Sequence, residues 1–457
     1  MSDLLTSLTA AANSMAAYQQ EMQVVQNDTT NETTPGYVSQ NLTLEALPFN
    51  SNGPDAGGVT AGALVSSRDL YAEQNVQTQT AAENYSSATY QTLSALNPTF
   101  SLQSNTSVSA SFNTFFSALS QLAVTPNDSQ LRQSVITAAQ GISQSFQATS
   151  QGLISASANL GQSASQIVAS INQLVSQIQQ LNVQRRQSGS QNLDPGTDAQ
   201  MYSDLENLSQ YVNFTTIQSS DGTMNIYLDG QQGLLVGTSQ LKLQVNALPT
   251  QLQVTDSNGT DVTGEITGGS FGANLQVYNT TLPGYTTQLN NLAQGFATNI
   301  NSQLAAGVDA NNVAGAALFT YNAAGPASTL AVSSTITPSE IAAASAGNPG
   351  GNDNAVALDN LQSSTTLAGL NGFTFTQSYG NLASTVGSDI SNSQNEQTTQ
   401  QSLLAQAQNL RSNASAVSLD EEATKLIQYQ QAYDATSKLI NVIDDLTQAV
   451  LGIIQTS

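Results

Sequence analysis

Asp420-Glu421-Glu422 and Asp444-Asp445 set carboxylates side by side. Paired carboxylates run general acid–base chemistry when one keeps its proton and its neighbour does not. Consecutive residues on a helix, however, point about 100° apart, so the two runs read as a helix start and as solvated surface charge. Asp309-Ala310-Asn311-Asn312 opens like a calcium loop, but the sixth place is not glycine and the twelfth is Thr320 rather than glutamate. It reads as a turn. Gly268-Gly269-Ser270-Phe271-Gly272 and the glycines of 347–351 lack a following Lys-Ser/Thr, which excludes a phosphate loop. Serine is plentiful, yet the chain has no His, so no Ser-His-Asp relay can be drawn. The absence of Cys removes disulfides, thiolate nucleophiles and zinc fingers. No catalytic, cofactor-binding or metal site is expected, and the chain reads as a non-enzyme.

The informative spacing is that of apolar residues at the two ends. From Ser418 the sequence runs SLDEEATKLIQYQQAYDATSKLINVIDDLTQAVLGII. Ser418 can cap free backbone N–H groups, and the acids after it favour the positive end of a helix dipole. Leu426, Tyr429, Tyr433, Ile440, Ile443, Val450 and Ile454 follow at helical spacing, with Leu439, Val442, Leu446 and Ile453 widening the stripe. At the other end Leu4, Leu8, Ala11, Met15, Tyr18, Met22 and Val25 alternate in steps of four and three, the seam of a coiled coil, with Ser2 and Asp3 as caps. The two amphipathic helices either close an ordinary bundle or form a terminal pair used for polymerisation.

With 457 residues there is room for two to four domains. Acids outnumber bases 31 to 8, a net charge of −23, so a basic nucleic-acid footprint is missing and no nucleic-acid partner is expected. Only 9% of residues are charged, and polarity comes from Ser, Thr, Gln and Asn. No stretch reaches the ~18–20 apolar residues of a membrane span, so membrane insertion is not expected. The first residues lack the basic start and compact apolar core of a secretory peptide. Export, where it occurs, is expected by a route that cleaves no signal.

In chain order, the first helix is expected to end near Gln26. Thr34-Pro35-Gly36-Tyr37 is a turn signal. Residues 38–47 and 59–65 read as extended, with a loop at 51–58 between them, and 69–96 as helix. Residues 108–146 form a helical hairpin about Thr125-Pro126-Asn127-Asp128-Ser129. Phe112, Phe115, Phe116, Leu119 and Leu122 line its first arm, and Leu131, Val135, Ile136, Ala139, Ile142 and Phe146 its second. A heptad seam follows through Leu160, Ala164, Ile167, Ile171, Leu174, Ile178 and Leu181. At Asn213 the period turns from helical to alternating, and Asp221-Gly222 and Asp229-Gly230 supply hairpin turns. Helix resumes at 289–304, residues 305–350 are irregular, and a last helical stretch runs from about Ala355 and Tyr379 to the end. The expected fold is mainly α with an inserted small β domain. Residues 1–40 and 405–457 form a terminal coiled coil, 41–210 and 268–404 a long antiparallel helical bundle, and 211–267 the β insert.

This nested order, together with particular stretches, resembles the flagellar axial proteins, most closely the hook-associated protein 1 (FlgK) family. Thr34-Pro35-Gly36-Tyr37 with Gln40 is similar to the element after the first helix of rod, hook and hook-associated proteins. Phe115-Phe116-Ser117-Ala118-Leu119 through Arg132-Gln133, and Leu282-Pro283-Gly284 through Leu289, Leu292 and Phe296, match that family's helical core. So do Ile341-Ala342-Ala343-Ala344-Ser345 with Asn354-Ala355, and Val417-Ser418-Leu419-Asp420-Glu421-Glu422 with Tyr429-Gln430-Gln431-Ala432-Tyr433. Two stretches depart from it. Asp28, Thr29, Thr30 and Glu32 replace an Asn/Ala-rich run, and Asp194-Pro195-Gly196-Thr197-Asp198 replaces an acidic element before the β insert. The chain is short for the family, so a reduced outer domain is expected.

The resemblance implies a structural subunit of the hook–filament junction, exported unfolded through the flagellar channel and placed outside the cell. Its implied partners are copies of itself in a ring-like tier, the hook protein, a second hook-associated junction protein and a flagellar export chaperone. The implied assembly residues are Leu4, Leu8, Met15, Met22, Val25, Pro35, Gly36, Tyr37, Leu426, Tyr433, Ile440, Ile443 and Val450. Another axial subunit, of hook or filament type, is the alternative. A surface enzyme on an axial scaffold is the third reading, and it would need acids converging in 211–350.

Overall fold

Between Ser129 and Ser188 the chain contains no proline, and its glycines are isolated at 141, 152 and 161, so nothing interrupts a single helix of 60 residues. The structure, a computed structural model, describes residues 2–50, 56–188, 194–248 and 251–455. The elements begin with α1 (Ser2–Asn31), β1 (Gln40–Ala46), β2 (Val59–Ser66), α2 (Leu70–Ser94), α3 (Val108–Val124), α4 (Ser129–Ser188) and α5 (Pro195–Ser209). Six short strands follow: β3 (Thr215–Gln218), β4 (Met224–Leu228), β5 (Gln232–Val236), β6 (Ser239–Gln240), β7 (Leu243–Leu248) and β8 (Gln251–Asp256). Then come α6 (Gly269–Gln276), α7 (Leu282–Ala306), β9 (Phe319–Thr320), α8 (Pro326–Thr329), β10 (Ala331–Val332), α9 (Asp353–Asn360), α10 (Phe375–Ser415) and α11 (Leu419–Gln455). Residues 1–81, 172–241 and 401–457 make one compact unit, and 82–171 with 242–400 make another.

In the first unit, α1 packs between α11 and the antiparallel hairpin β1–β2. The helix runs to Asn31 rather than stopping near Gln26. Thr29, Thr30 and Asn31 donate side-chain hydrogen bonds back to the carbonyls of Val25, Gln26 and Asn27 at 2.8–2.9 Å, which satisfies the last turn locally. Strands β3 to β6 form a four-stranded antiparallel sheet burying Met224, Ile226, Leu228, Leu234 and Leu235. Asp229 and Gly230 both take positive φ, 43° and 72°, as the tight turn between β4 and β5 requires. Asn182 ties α4 to this sheet. Its side chain donates to the carbonyls of Met224 and Gly237 at 2.8 and 2.7 Å and accepts from the Met224 N–H.

The second unit is organised around phenylalanines. Phe112 and Phe115 of α3, Phe296 of α7, Phe319 and Phe375 are all at most 2% exposed, and their rings meet at centroid distances of 5.0–6.0 Å. Ser107 caps α3 by accepting from the Ala110 N–H. Arg132, buried at the start of α4, donates to the carbonyls of Pro126 and Ile341 at 2.8 and 2.7 Å. Burial pulls its guanidinium below the usual value, and the charge of Asp309 opposes that. Asn354 donates to the Ala342 carbonyl at 2.7 Å, tying Ile341–Ser345 to α9. Strands β7 and β8 pair within this unit, from Leu243↔Asp256 to Leu248↔Gln251.

The strands of the expected β insert thus form two separate sheets, β3–β6 and β7–β8. In the expected irregular region 305–350, β9 pairs with β10, and Val308 forms isolated antiparallel bridges to Ala314 and Ala344. The expected loop at 51–58 falls partly on residues 51–55, and the side chains of Ile453 and Ile454 likewise lie outside the described residues. The heptad seam of α4 is rotated by about one position. Leu160, Ala164, Val168, Ile171, Val175, Ile178, Asn182 and Arg185 are buried, whereas Ile167, Leu174 and Leu181 flank them. Two polar residues lie on that line because each finds hydrogen-bond partners inside.

Candidate assembly interface

Helices α1 and α11 run antiparallel. Leu4, Ala11 and Tyr18 share a groove with Thr436, Leu439 and Ile443, and Met22 and Val25 share another with Leu426. Of the expected assembly residues, Val25 and Ile443 are buried. Leu4, Leu8, Met15, Met22, Leu426, Tyr433, Ile440 and Val450 are half-buried along the same two helices. Pro35 is exposed; Gly36 and Tyr37 are half-buried on the segment that follows α1. The deepest line of α1 differs from the expected seam. It runs Ala11, Ser14, Ala17, Glu21, Val25, Asp28, because the helix must serve the hairpin as well as α11. Ser14 accepts the Val59 N–H at 3.0 Å on the hairpin side. Of the acids expected to be solvated at the start of α11, Asp420 and Glu421 are exposed, but Glu422 is buried against Lys425, which donates to it at 2.7 Å.

Thr34-Pro35-Gly36-Tyr37 is clamped from several sides. The Tyr37 N–H donates to the Thr34 carbonyl across the turn, with Gly36 at φ +75°. The Tyr37 hydroxyl donates to Asp28 at 2.6 Å, and the Gln40 N–H reaches the other oxygen of that carboxylate at 2.8 Å. Burial, followed by donation to Asp28, raises the Tyr37 pKa. At the end of α10, Ser415 accepts the Ser39 N–H on its carbonyl at 3.0 Å and donates its hydroxyl to the Ser67 carbonyl at 3.0 Å. The N-terminal hairpin and the last bend before α11 are therefore stitched to one another.

Beneath the turn lies a row of alternating charges: Glu206, Arg411, Glu73, Arg68, Asp198 and Arg185. Arg411 donates to Glu206 at 2.6 Å and to Glu73 at 3.2 Å. Arg68 meets Glu73 directly and Asp198 at 2.9 Å, and Arg185 pairs with Asp198 on its other oxygen. Arg68 also donates to the Gly36 carbonyl at 2.6 Å, and its guanidinium lies 3.9 Å from the Tyr202 ring centroid. Burial and then the Asp198 charge push the Tyr202 hydroxyl up to about 12. Asp194 caps α5 by accepting the Thr197 N–H at 2.8 Å, and Pro195 sits at its first turn. That fixes Asp198 one turn later. Sequence reasoning missed this row. Arg185, seven residues past Ile178 on the buried line of α4, was the available signal in a chain with so few bases.

A Cβ on Gly36 would run into the Ala199 carbonyl oxygen, whereas one on Gly230 meets nothing within 4 Å although its φ is also positive, at +72°. Gly230→Ala should therefore cost only the left-handed strain, about 1–3 kcal/mol. Gly36→Ala should cost visibly more in the same urea titration. Among the described residues no cluster of acids fit to hold a metal ion occurs, and no helix is long and apolar enough to cross a membrane.

A family model described as the flagellar hook-associated protein FlgK helical domain matches residues 93–319. One described as the flagellar basal body rod FlgEFG protein C-terminal region matches residues 408–453. Flagellar hook-associated protein 1 of Bacillus subtilis (strain 168) is 23% identical over 502 aligned residues, taking in 99% of each chain. That of Salmonella typhimurium (strain LT2) is 35% identical over 102 residues, 22% of this chain and 18% of the relative. Among solved structures, the flagellar hook junction protein FlgK from Burkholderia pseudomallei shares the fold, with a TM-score of 0.67 at 18% identity over 76% of this chain and 100% of its own. The helical-domain match takes in the aromatic core as far as Phe319 and the rod-type match falls on the C-terminal helix that α1 packs against, so the chain belongs to the flagellar hook-associated protein FlgK family.

Proposed function

We propose that the chain is a structural axial subunit of the bacterial flagellum that joins the hook to the filament and polymerises through α1 and α11. One observation carries the polymerisation reading. The two helices are paired, yet Leu5, Ile427, Leu439, Val442, Leu446 and Leu451 remain 41–59% exposed on them. A long apolar helix face left in water is a binding surface. In this reading residues 1–40 and 405–457 are the assembly domain, with the bundle 41–210 and 268–404 and the β insert 211–267 as its body. The partners are further copies in a ring-like tier, the hook protein, a second hook-associated junction protein and an export chaperone. The subunit works outside the cell and catalyses nothing.

Electron microscopy of a strain lacking the gene tests this. The expected result is hooks without filaments, with filament subunits spilling into the medium. Normal flagella would remove the junction role, and loss of the hook itself would make the chain a different axial component.

A further inference from the structure

We propose that the α1–α11 pair is a proton-controlled clasp: Glu21 takes up a proton as the two helices close, so mild acid favours pairing and higher pH favours release. This deepens the assembly reading by supplying a regulation for the same interface.

The geometry leaves one negative charge too many inside. Glu21 of α1 and Glu422 of α11 are only 4% and 2% exposed, and a single ammonium, Lys425, serves them both. Lys425 is spent on one oxygen of Glu422; the second oxygen of that carboxylate is buried without a hydrogen-bond partner. Glu21 has the Tyr429 hydroxyl for company. The groups of α11 that act on Glu21 are therefore Glu422, Lys425 and Tyr429. On the other flank, the hairpin strands carry one titratable group, Glu45, which is exposed. Along α1 itself Asp28 lies two turns away and is taken by Tyr37, Ser39 and Gln40.

An uncompensated carboxylate in such a place is relieved by protonation, because desolvation penalises the charged form. Burial raises the Glu21 pKa above its ordinary value and the Glu422 charge adds to this, while Tyr429 and Lys425 oppose it. A carboxyl held above its ordinary value in the paired state binds its proton more tightly there than in separated helices. The pairing it supports is complete below the ordinary glutamate range and is lost as pH climbs through the raised value.

Hydrogen–deuterium exchange of the full-length chain tests the clasp, read on peptides from 11–28 and 420–436 between about pH 5 and 8. Rates are corrected for the intrinsic pH dependence of exchange. The wild type is expected to gain protection as pH falls, by at most about tenfold per unit for one proton. Glu21→Gln, an uncharged isostere, is expected to hold the acid-form protection at every pH, and Glu422→Gln to flatten the wild-type slope. A flat wild-type profile overturns the proposal. So does a Glu21→Gln chain that keeps the wild-type slope or is poorly protected throughout. The measurement uses the isolated chain, so its failure is distinct from a failure of the junction reading, which the deletion strain tests.

Discussion

Asp198→Ala should destabilise the first unit by about 3–5 kcal/mol, because it strands a buried cation. Arg185 has a side chain 1% exposed, and Asp198 is the carboxylate it pairs with. Arg68, on the other oxygen of Asp198, still has Glu73. The alternation of charges makes the cost unequal along the row. Arg185→Met should cost clearly less than Asp198→Ala, since Asp198 would keep Arg68 and no ion would be left alone. In the double variant Asp198→Leu with Arg185→Met, much of the loss should return, as apolar groups can replace a buried ion pair at little cost. Urea unfolding followed by exchange protection of α5 and the sheet β3–β6 reads all three. A double variant as unstable as Asp198→Ala alone would show that the row contributes through packing rather than charge.

Phe296→Ala should cost the second unit a similar amount, about 3–5 kcal/mol, by the different route of cavity formation. Phe296 is fully buried, and its ring lies 5.0–5.6 Å from those of Phe112, Phe115, Phe319 and Phe375. Truncation would unpack four aromatic partners supplied by different parts of the chain. Phe49, 74% exposed, supplies the control: Phe49→Ala should stay within about 0.5 kcal/mol. Urea unfolding of each variant, followed on both units, distinguishes the two. Equal losses would mean that aromatic area, rather than its burial, sets stability here.

Apolar periodicity made the helices of this chain legible, the hairpin at Thr125–Ser129 and the inner face Leu289, Leu292, Phe296 and Ile300 included. It was less informative about which line of a wide stripe lies deepest. On α1 and α4 the reading favoured the bulkiest side chains, Met15 and Met22, Leu174 and Leu181. The structure instead buries Ser14 and Glu21, Val175 and Asn182. A buried polar residue is invisible to a hydrophobic pattern, since its stability comes from partners distant in sequence. The charge row is the extreme case. Arg68 and Arg411 stand far apart in the chain, and Glu73 joins them only once the fold exists. The two stretches that depart from the family pattern carry structure of their own. Asp28 holds Tyr37 and Gln40, and Asp194 with Asp198 caps α5 and anchors Arg185.

The row spends Arg68, Arg185 and Arg411 internally, three of the chain's 8 bases, against three of its 31 acids. It cancels no net charge, so 28 acids and five bases outside it carry the whole −23. Copies brought side by side then repel one another as like-charged colloids do, over a range set by the ionic atmosphere, about 8 Å at physiological salt. In the assembly proposed above, dissolved salt would act as a further component: it would screen the approach of each new subunit while leaving the sheltered row beneath the turn almost untouched.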